Sequence, residues 1–541
     1  MRPTVLDSID SLERQNVVEA SASALDIEQA LEQIEQPLWV RRRSGGLQVG
    51  LVDPDRSDRD SPAYVPACRL EDLGDPGFRS DHGTRYGCMS GAMANGIGSV
   101  ELVKAMGRQG FLGVFGAAGL PLDEVERAID RIDRELDAET PRAFNLIHSP
   151  GESDMEGAVV DLYLRRRVRL VEASAFLNLT LPVVRYRATG VSCDATGRVI
   201  PANRVIAKVS RVEVATKFLS PPPAAMLAEL VAQGRITARE AELAAQIPMA
   251  DDITAEADSG GHTDNQPAIA QLPSLIALRD RLGAASPRIN LVRVGAAGGI
   301  STPWAAAAAF AMGAAYIVTG SVNQACVEAG TSEAVRRMLA QARQADVAMA
   351  PAADMFEMGV KVQVLKRGTL FAMRAARLHE LYRAHESLDQ IPAAERANLE
   401  KTIFQAPLET IWRETQAYFA DRDPGRIDRA RSDPKRKMAL VFRWYLGMSS
   451  QWANRGDPAR VVDYQIWCGP AMAAFNDWVR GSDLEPIENR RAAVVATAIL
   501  HGSAVLARAA MLRAQGVGLP PGVPRLRPVW TSPIENRRFL P

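Results

Sequence analysis

Asn290-Leu-Val-Arg-Val-Gly-Ala-Ala-Gly-Gly-Ile-Ser-Thr-Pro303, followed by Ala315-Tyr-Ile-Val-Thr-Gly-Ser321, reads as two successive strand–turn–helix units. Each opens on a short apolar strand and closes on glycine, and Pro303 suits the first position of a helix. Working outward, apolar strands at 85–89, 110–115, 143–148, 169–173, 204–209 and 252–256 precede the pair at 290–294 and 315–319. Helical patterns follow at 97–109, 123–136, 156–166, 182–186, 212–218, 273–282, 303–312 and 323–328. Apolar strands that alternate with helices imply a parallel sheet. Eight units in about 250 residues match a closed (β/α)8 TIM barrel. An open doubly wound sheet is the competing topology, but its glycine turn belongs after the first strand. Here the glycine-rich turns cluster late, which favours the barrel.

The barrel is expected over 61–345, after a polar extension at 1–60 that ends in the charged, turn-rich run 53–60. A helical insertion near 220–248 carries Thr237 as an N-cap with Glu240 in the capping-box position. Beyond 345 the alternation stops. Residues 346–541 are expected to form an appended, mostly helical C-terminal substrate-binding domain on the barrel's mouth, dense in tryptophan (Trp412, Trp444, Trp452, Trp467, Trp478).

The chain has 541 residues, 47% hydrophobic and 24% charged, as in an ordinary globular protein with a large core. Lys plus Arg equals Asp plus Glu at 64 each, so no global basic bias points to nucleic acid. Five scattered cysteines make neither a disulfide framework nor a CxxC metal site, which fits a reducing, cytoplasmic setting. No secretory signal is expected at the N-terminus. The longest apolar run noted, 304–313, is too short to cross a bilayer and reads as a buried alanine-rich helix. No HExxH or Cys-His cluster argues for a metal, and no Gly-x-Ser-x-Gly elbow argues for a hydrolase.

Chemistry concentrates at the strand ends. Gly298 and Gly299 follow the seventh strand, and Gly320 and Ser321 the eighth. Loops there, with helix N-termini behind them, bind phosphate in many barrel enzymes. Gly260-Gly261-His262 follows the sixth strand. It reads either as a backbone cradle beside a proton-exchanging histidine or as a plain turn with a surface histidine. Ala92 and Met93, after the first strand, suit a flat ring lying on backbone, or equally a tight turn. Asn145 and His148 flank the third strand's end, and His148 is the one rival to His262. Lys208 lies within the apolar fifth strand. It either points into the mouth or pairs at the core edge with Glu172 or Glu256. The basic run 426–437 is a solvated loop, or a docking patch for an acidic carrier.

Several of these stretches together resemble a known family. Gly-Ala-Met-Ala-Asn (91–95), Phe-Asn-Leu-Ile-His (144–148), Ala-Lys-Val-Ser-Arg (207–211), Glu-Ala-Asp-Ser-Gly-Gly-His-Thr-Asp-Asn (256–265) and Gly-Gly-Ile (298–300) are similar to PfaD-type proteins. These are trans-acting enoyl reductases of polyketide and polyunsaturated fatty acid synthases, within the nitronate monooxygenase (2-nitropropane dioxygenase-like) superfamily. Pro-Lys-Arg-Lys-Met-Ala-Leu-Val-Phe-Arg-Trp-Tyr (434–445) and Trp-Cys-Gly-Pro-Ala-Met (467–472) extend the resemblance over nearly the whole chain. The resemblance implies FMN in the barrel mouth, its phosphate on Gly298, Gly299, Gly320 and Ser321 and its ring near Ala92 and Met93. Asn145 and Lys208 would lie near the ring, Gly260 and Gly261 would floor it, and His262 would be the active-site histidine. It further implies NADPH as reductant and an enoyl thioester on acyl carrier protein as substrate, within a synthase assembly. Neither nucleic acid nor membrane is an expected partner, and the resemblance is compatible with a homodimer. Oxidation of small nitro compounds, and a non-catalytic barrel scaffold, are the alternatives.

Overall fold

The computed structural model describes residues 24–43, 46–51, 63–148, 153–420 and 423–528. The expected run 53–60 lies outside them. Eight strands close into a barrel: β1 (Cys88–Ser90), β2 (Leu112–Phe115), β3 (Arg142–Ile147), β4 (Leu170–Ser174), β5 (Arg204–Val209), β6 (Asp252–Glu256), β7 (Arg293–Ala297) and β8 (Ile317–Thr319). Each pairs in parallel with its neighbours in chain order, and β8 pairs with β1. The helices that follow are α1 (Val100–Arg108), α2 (Leu122–Glu135), α3 (Ser153–Arg165), α4 (Leu181–Ala188), α5 (Val212–Leu219), α6 (Ala268–Gly283), α7 (Pro303–Ala311) and α8 (Ser321–Gln324).

Two cores result. The larger fills the space between the strands and the surrounding helices and continues into the C-terminal half, through residues such as Phe371, Phe404 and Phe442. The smaller unites Met89, Leu112, Val114, Ala143, Leu170, Ile206 and Val318 with Phe78 and Tyr316. Phe78, from the helix Pro76–His82 that precedes β1, stacks on Tyr316 with centroids 4.2 Å apart. Gly295 leaves room for that ring, since a Cβ there would lie 2.4 Å from it. At the strands' N-terminal ends, buried Asp252 accepts from Arg293 (2.6 Å) and bonds His82 (2.7 Å). This leaves the C-terminal ends of the strands as the open, functional end.

The helical insertion is Ala224–Ala232 and Ala238–Ala244, the second opened by the Thr237–Glu240 capping box. α6 begins a turn earlier than the pattern suggested and carries Pro273 inside it. The proline removes the bond to the Ile269 carbonyl, in a first turn where Ile269 is exposed and water can serve instead.

One expectation, the place of the whole C-terminal region, needs correction, and two regions hold strands beyond those expected. Within the N-terminal extension, helix Ala24–Glu32 overlaps the helix-like stretch 27–34 of the sequence, and an antiparallel sheet of Leu38–Arg43, Gly46–Gly50 and Ala63–Val65 follows it. The region after 345 is mostly helical, as expected, but not without strands. Val347–Pro351 and Lys361–Leu365 form a hairpin that pairs with Gly261–His262. Nor does that whole region sit at the mouth. Its last helix, Ala492–Ala514, returns along the barrel's flank against α7 and α1. There Gly502 faces Pro303 so closely that a Cβ would lie 2.5 Å from it. This helix, not 304–313, is the one described helix long and apolar enough to cross a membrane, but most of it is buried inside the protein. Arg508 in its middle is fully buried, donating to the carbonyls of Gln33 and Gln36 (2.9 and 2.8 Å).

Candidate active site at the barrel mouth

Alternation along a strand puts Glu172 (β4), Lys208 (β5) and Glu256 (β6) on the barrel's inner side near its open end. Lys208 Nζ lies 3.1 Å from Glu256 Oε1 and 3.6 Å from Glu172 Oε1. Both readings of this lysine therefore hold: it sits in the mouth and it is paired. Glu172 is 1% exposed, and its second oxygen accepts the Ala92 backbone N–H at 2.7 Å. Burial pushes the Glu172 carboxyl above its usual range, and Lys208 and the Ala92 N–H only partly offset this. Burial works against the Lys208 ammonium, but Glu256 and Glu172 outweigh it and hold the lysine charged. Asn145 is anchored in the wall, donating to the Glu172 carbonyl and to Ser174 Oγ, both at 3.1 Å.

His262 is held by main chain. It lies opposite Val362 in the short antiparallel pairing with Lys361–Leu365, entered through Gly261 at φ +85°. Its Nε2 is 3.0 Å from Asp354 Oδ1. Burial lowers the imidazole's proton affinity, but the Asp354 bond and charge, with Glu256 adding, outweigh burial and raise the pKa above its ordinary value. The loop is tied down on its far side, where Asp264 accepts from Arg211 twice (2.9 and 2.8 Å). The rival, His148, is bound otherwise. Its Nδ1 is 2.7 Å from buried Glu156, which also accepts from Thr180, and its ring stacks on Phe176.

The glycines divide by what surrounds them. Gly299 (φ +76°) and Gly320, at the ends of β7 and β8, have nothing within 4 Å of a Cβ position, so both open onto free space. Gly298 (φ +81°) is needed where the Ala257 backbone crosses it, 2.5 Å from a Cβ. Gly260 has a reason other than a ligand, since a Cβ there would meet the Cys468 backbone nitrogen at 2.8 Å. It lies against the 467–472 segment, and this contact by itself requires glycine there. Two residues after Gly299, the buried Ser301 Oγ has no hydrogen-bond partner among the described residues. An open cradle with an unpartnered buried hydroxyl fits an anion such as a cofactor phosphate. Ala92 and Met93 are half-buried at the rim, on the loop that Glu172 holds. Among the described residues no cluster of His, Cys, Asp or Glu could hold a metal ion.

Sequence reasoning missed Asp354, which lies 92 residues beyond His262 with no motif around it. It named Glu172 and Glu256 only as possible partners of a core-edge lysine.

Comparison with known proteins agrees with this architecture. Residues 82–422 match the nitronate monooxygenase family, and 385–464 match the inserted helical domain of [acyl-carrier-protein] S-malonyltransferase. One protein of the polyunsaturated fatty acid synthase of Thraustochytrium sp. is 47% identical over 509 residues, covering 92% of this chain and 34% of that one. Polyketide biosynthesis protein PksE of Bacillus subtilis is 46% identical over 480 residues, 85% of this chain and 62% of that one. The chain thus spans between a third and two thirds of these relatives' lengths. The enoyl reductase domain of MlnA, from the macrolactin cluster of Bacillus amyloliquefaciens, superposes with a TM-score of 0.78 at 40% identity. That match covers 83% of this chain and 100% of that domain. With a closed parallel barrel, a lysine–carboxylate mouth and a motif histidine at the sixth strand's end, the chain belongs to the nitronate monooxygenase superfamily, in its branch of PfaD-type enoyl reductases of polyketide and polyunsaturated fatty acid synthases.

Proposed function

We propose that this protein reduces the α,β-double bond of enoyl thioesters carried on acyl carrier protein, with FMN as cofactor and NADPH as hydride source. The carrying observation is the pairing of a fixed cation, Lys208, with a protonatable His262 at one mouth, beside an open glycine cradle. When bound, FMN supplies the hydride relay from NADPH to the substrate's β-carbon. Gly298, Gly299, Gly320 and Ser321 would hold its phosphate, with Ala92, Met93 and Asn145 lining the ring.

The chain's own groups handle the charge and the proton. Hydride arriving at the β-carbon drives negative charge onto the thioester oxygen, which needs a preorganised donor. Lys208, held charged by two carboxylates, suits that oxygen and is too basic to be an efficient proton source near neutral pH. His262, whose raised pKa favours the imidazolium, suits delivery of the proton to the α-carbon. The helical segment akin to an insert of a carrier-protein malonyltransferase supports a carrier-borne substrate.

The test is an anaerobic assay of the purified chain with FMN, NADPH and crotonyl thioesters, on carrier protein and on a small thiol, with the flavin spectrum recorded. Thioester-dependent NADPH oxidation without oxygen is expected. A protein that stays colourless with FMN, or one that oxidises small nitro compounds only in oxygen, would overturn the proposal.

A further inference from the structure

His262 belongs to the barrel's sixth loop, but the groups that hold it come from elsewhere. The hairpin Val347–Pro351/Lys361–Leu365 supplies its strand partner, Val362. The turn of that hairpin is closed by Ala352 N–H donating to the Val360 carbonyl at 2.9 Å, and Asp354 lies within it. The hairpin packs in turn against the helix Phe371–Ala384. Arg443, on the long helix Pro434–Arg455, acts electrostatically on Asp354 while pairing with Glu357 at 3.2 Å. The charged groups that face His262 are Asp354 from the hairpin, Glu256 from β6 and Lys208 from β5. Glu256 is already engaged by Lys208 at 3.1 Å, so Asp354 is the carboxylate available to the imidazole.

We infer that Asp354 is the positioning residue of His262, fixing the imidazole's orientation and holding its proton, so that the C-terminal half completes an active site otherwise built by the barrel. A carboxylate on one ring nitrogen orients the ring and favours the imidazolium, leaving the other nitrogen free to donate. The inference deepens the enoyl-reductase reading and rests on it for the histidine's chemical role, but the pairing can be tested without turnover.

The experiment compares wild type, Asp354→Asn, Asp354→Glu and His262→Ala as full chains. Histidine-labelled protein is titrated by NMR without cofactor, with the His262 signal assigned from its loss in His262→Ala. Anaerobic turnover of crotonyl thioester is then followed from pH 6 to 9. In Asp354→Asn the His262 pKa should fall by roughly one unit or more. The pH at which turnover declines should fall equally, so turnover drops about tenfold at alkaline pH and little at pH 6. Asp354→Glu should restore both in part. An unmoved imidazole and an unmoved pH limb in folded Asp354→Asn would overturn the inference. If that variant fails to fold, the wild-type titration decides, and a His262 pKa below the ordinary 6.5 would overturn it. If Asp354→Asn lowers the imidazole pKa while His262→Ala turns over normally, the pairing stands and the histidine's role in the proposed reaction fails.

Discussion

Lys208 is the residue on which the mouth's electrostatics turn, because it neutralises a carboxylate that has almost no contact with water. Removing one member of a buried pair leaves an uncompensated charge, so Lys208→Met should destabilise the fold by about 3 kcal/mol. The sign with pH follows from Glu172, whose folded pKa is already raised above 4.5 and would rise further without the lysine. A carboxyl with a raised folded pKa loses stability as pH climbs, so the Lys208→Met deficit should be small near pH 4 and largest above neutrality. Denaturant melts across that range check this, and Glu172→Gln added to Lys208→Met should remove most of the pH dependence. His262 calls for a different expectation. It is half-buried and held by main chain, so His262→Ala should leave FMN affinity intact. Turnover of a crotonyl thioester should fall about 10²-fold, as for loss of a general acid. The His262–Asp354 pair also has a stability signature. A histidine with a raised pKa stabilises the fold below its ordinary 6.5, and that contribution fades as pH rises through the folded value.

At the scale of elements, close contacts between backbones decide where the C-terminal half can sit. Gly260 lets the Cys468 main chain lie against the sixth loop, and Gly502 lets the helix Ala492–Ala514 lie against Pro303. Gly502→Ala places a Cβ against a rigid proline ring in a well-packed interface. It should cost roughly 1–3 kcal/mol by thermal or denaturant melting while the folded fraction keeps its specific activity. Gly260→Ala should lower thermal stability and increase amide exchange at 467–472, with FMN affinity little changed. A selective loss of FMN affinity would return Gly260 to the cofactor. These contacts also mark the limits of what the sequence reveals. The barrel is legible because strand and helix periods alternate eight times and glycines mark the turns. Leu408–Ala420, Ala492–Ala514 and the Thr237 cap are legible because their signals are local. The strands Val347–Pro351 and Lys361–Leu365 are short and stand among helical patterns, and the outer pairing of Lys361–Leu365 with Gly261–His262 joins distant parts of the chain. Lys208, His262 and the glycines could be named from motifs. Asp354 could not, because only the folded hairpin brings it to the histidine.

For the whole molecule, the proposed function requires a carrier protein to reach a mouth partly roofed by the C-terminal half. The basic run 426–437 was one candidate for docking, but its cations already face carboxylates or carbonyls. Arg426 and Arg429 reach Asp423, Arg431 reaches Asp428, Arg436 reaches Asp433, and Lys437 reaches Glu409 while lying over the Trp412 ring. Lys435 turns inward, donating to the carbonyls of Tyr382 and His385. With four carboxylates set against these six cations, most of the local charge is offset, and each exposed pair contributes only about 0–1 kcal/mol. Reversal of charge at Arg436 and Lys437 should therefore change KM for carrier-bound and small crotonyl thioesters alike, by no more than about twofold, given the weakness of such pairs. A rise confined to the carrier-bound substrate, and weakened by added salt, would instead make this face the carrier's approach, because steering by charge is screened and a small thioester does not feel it.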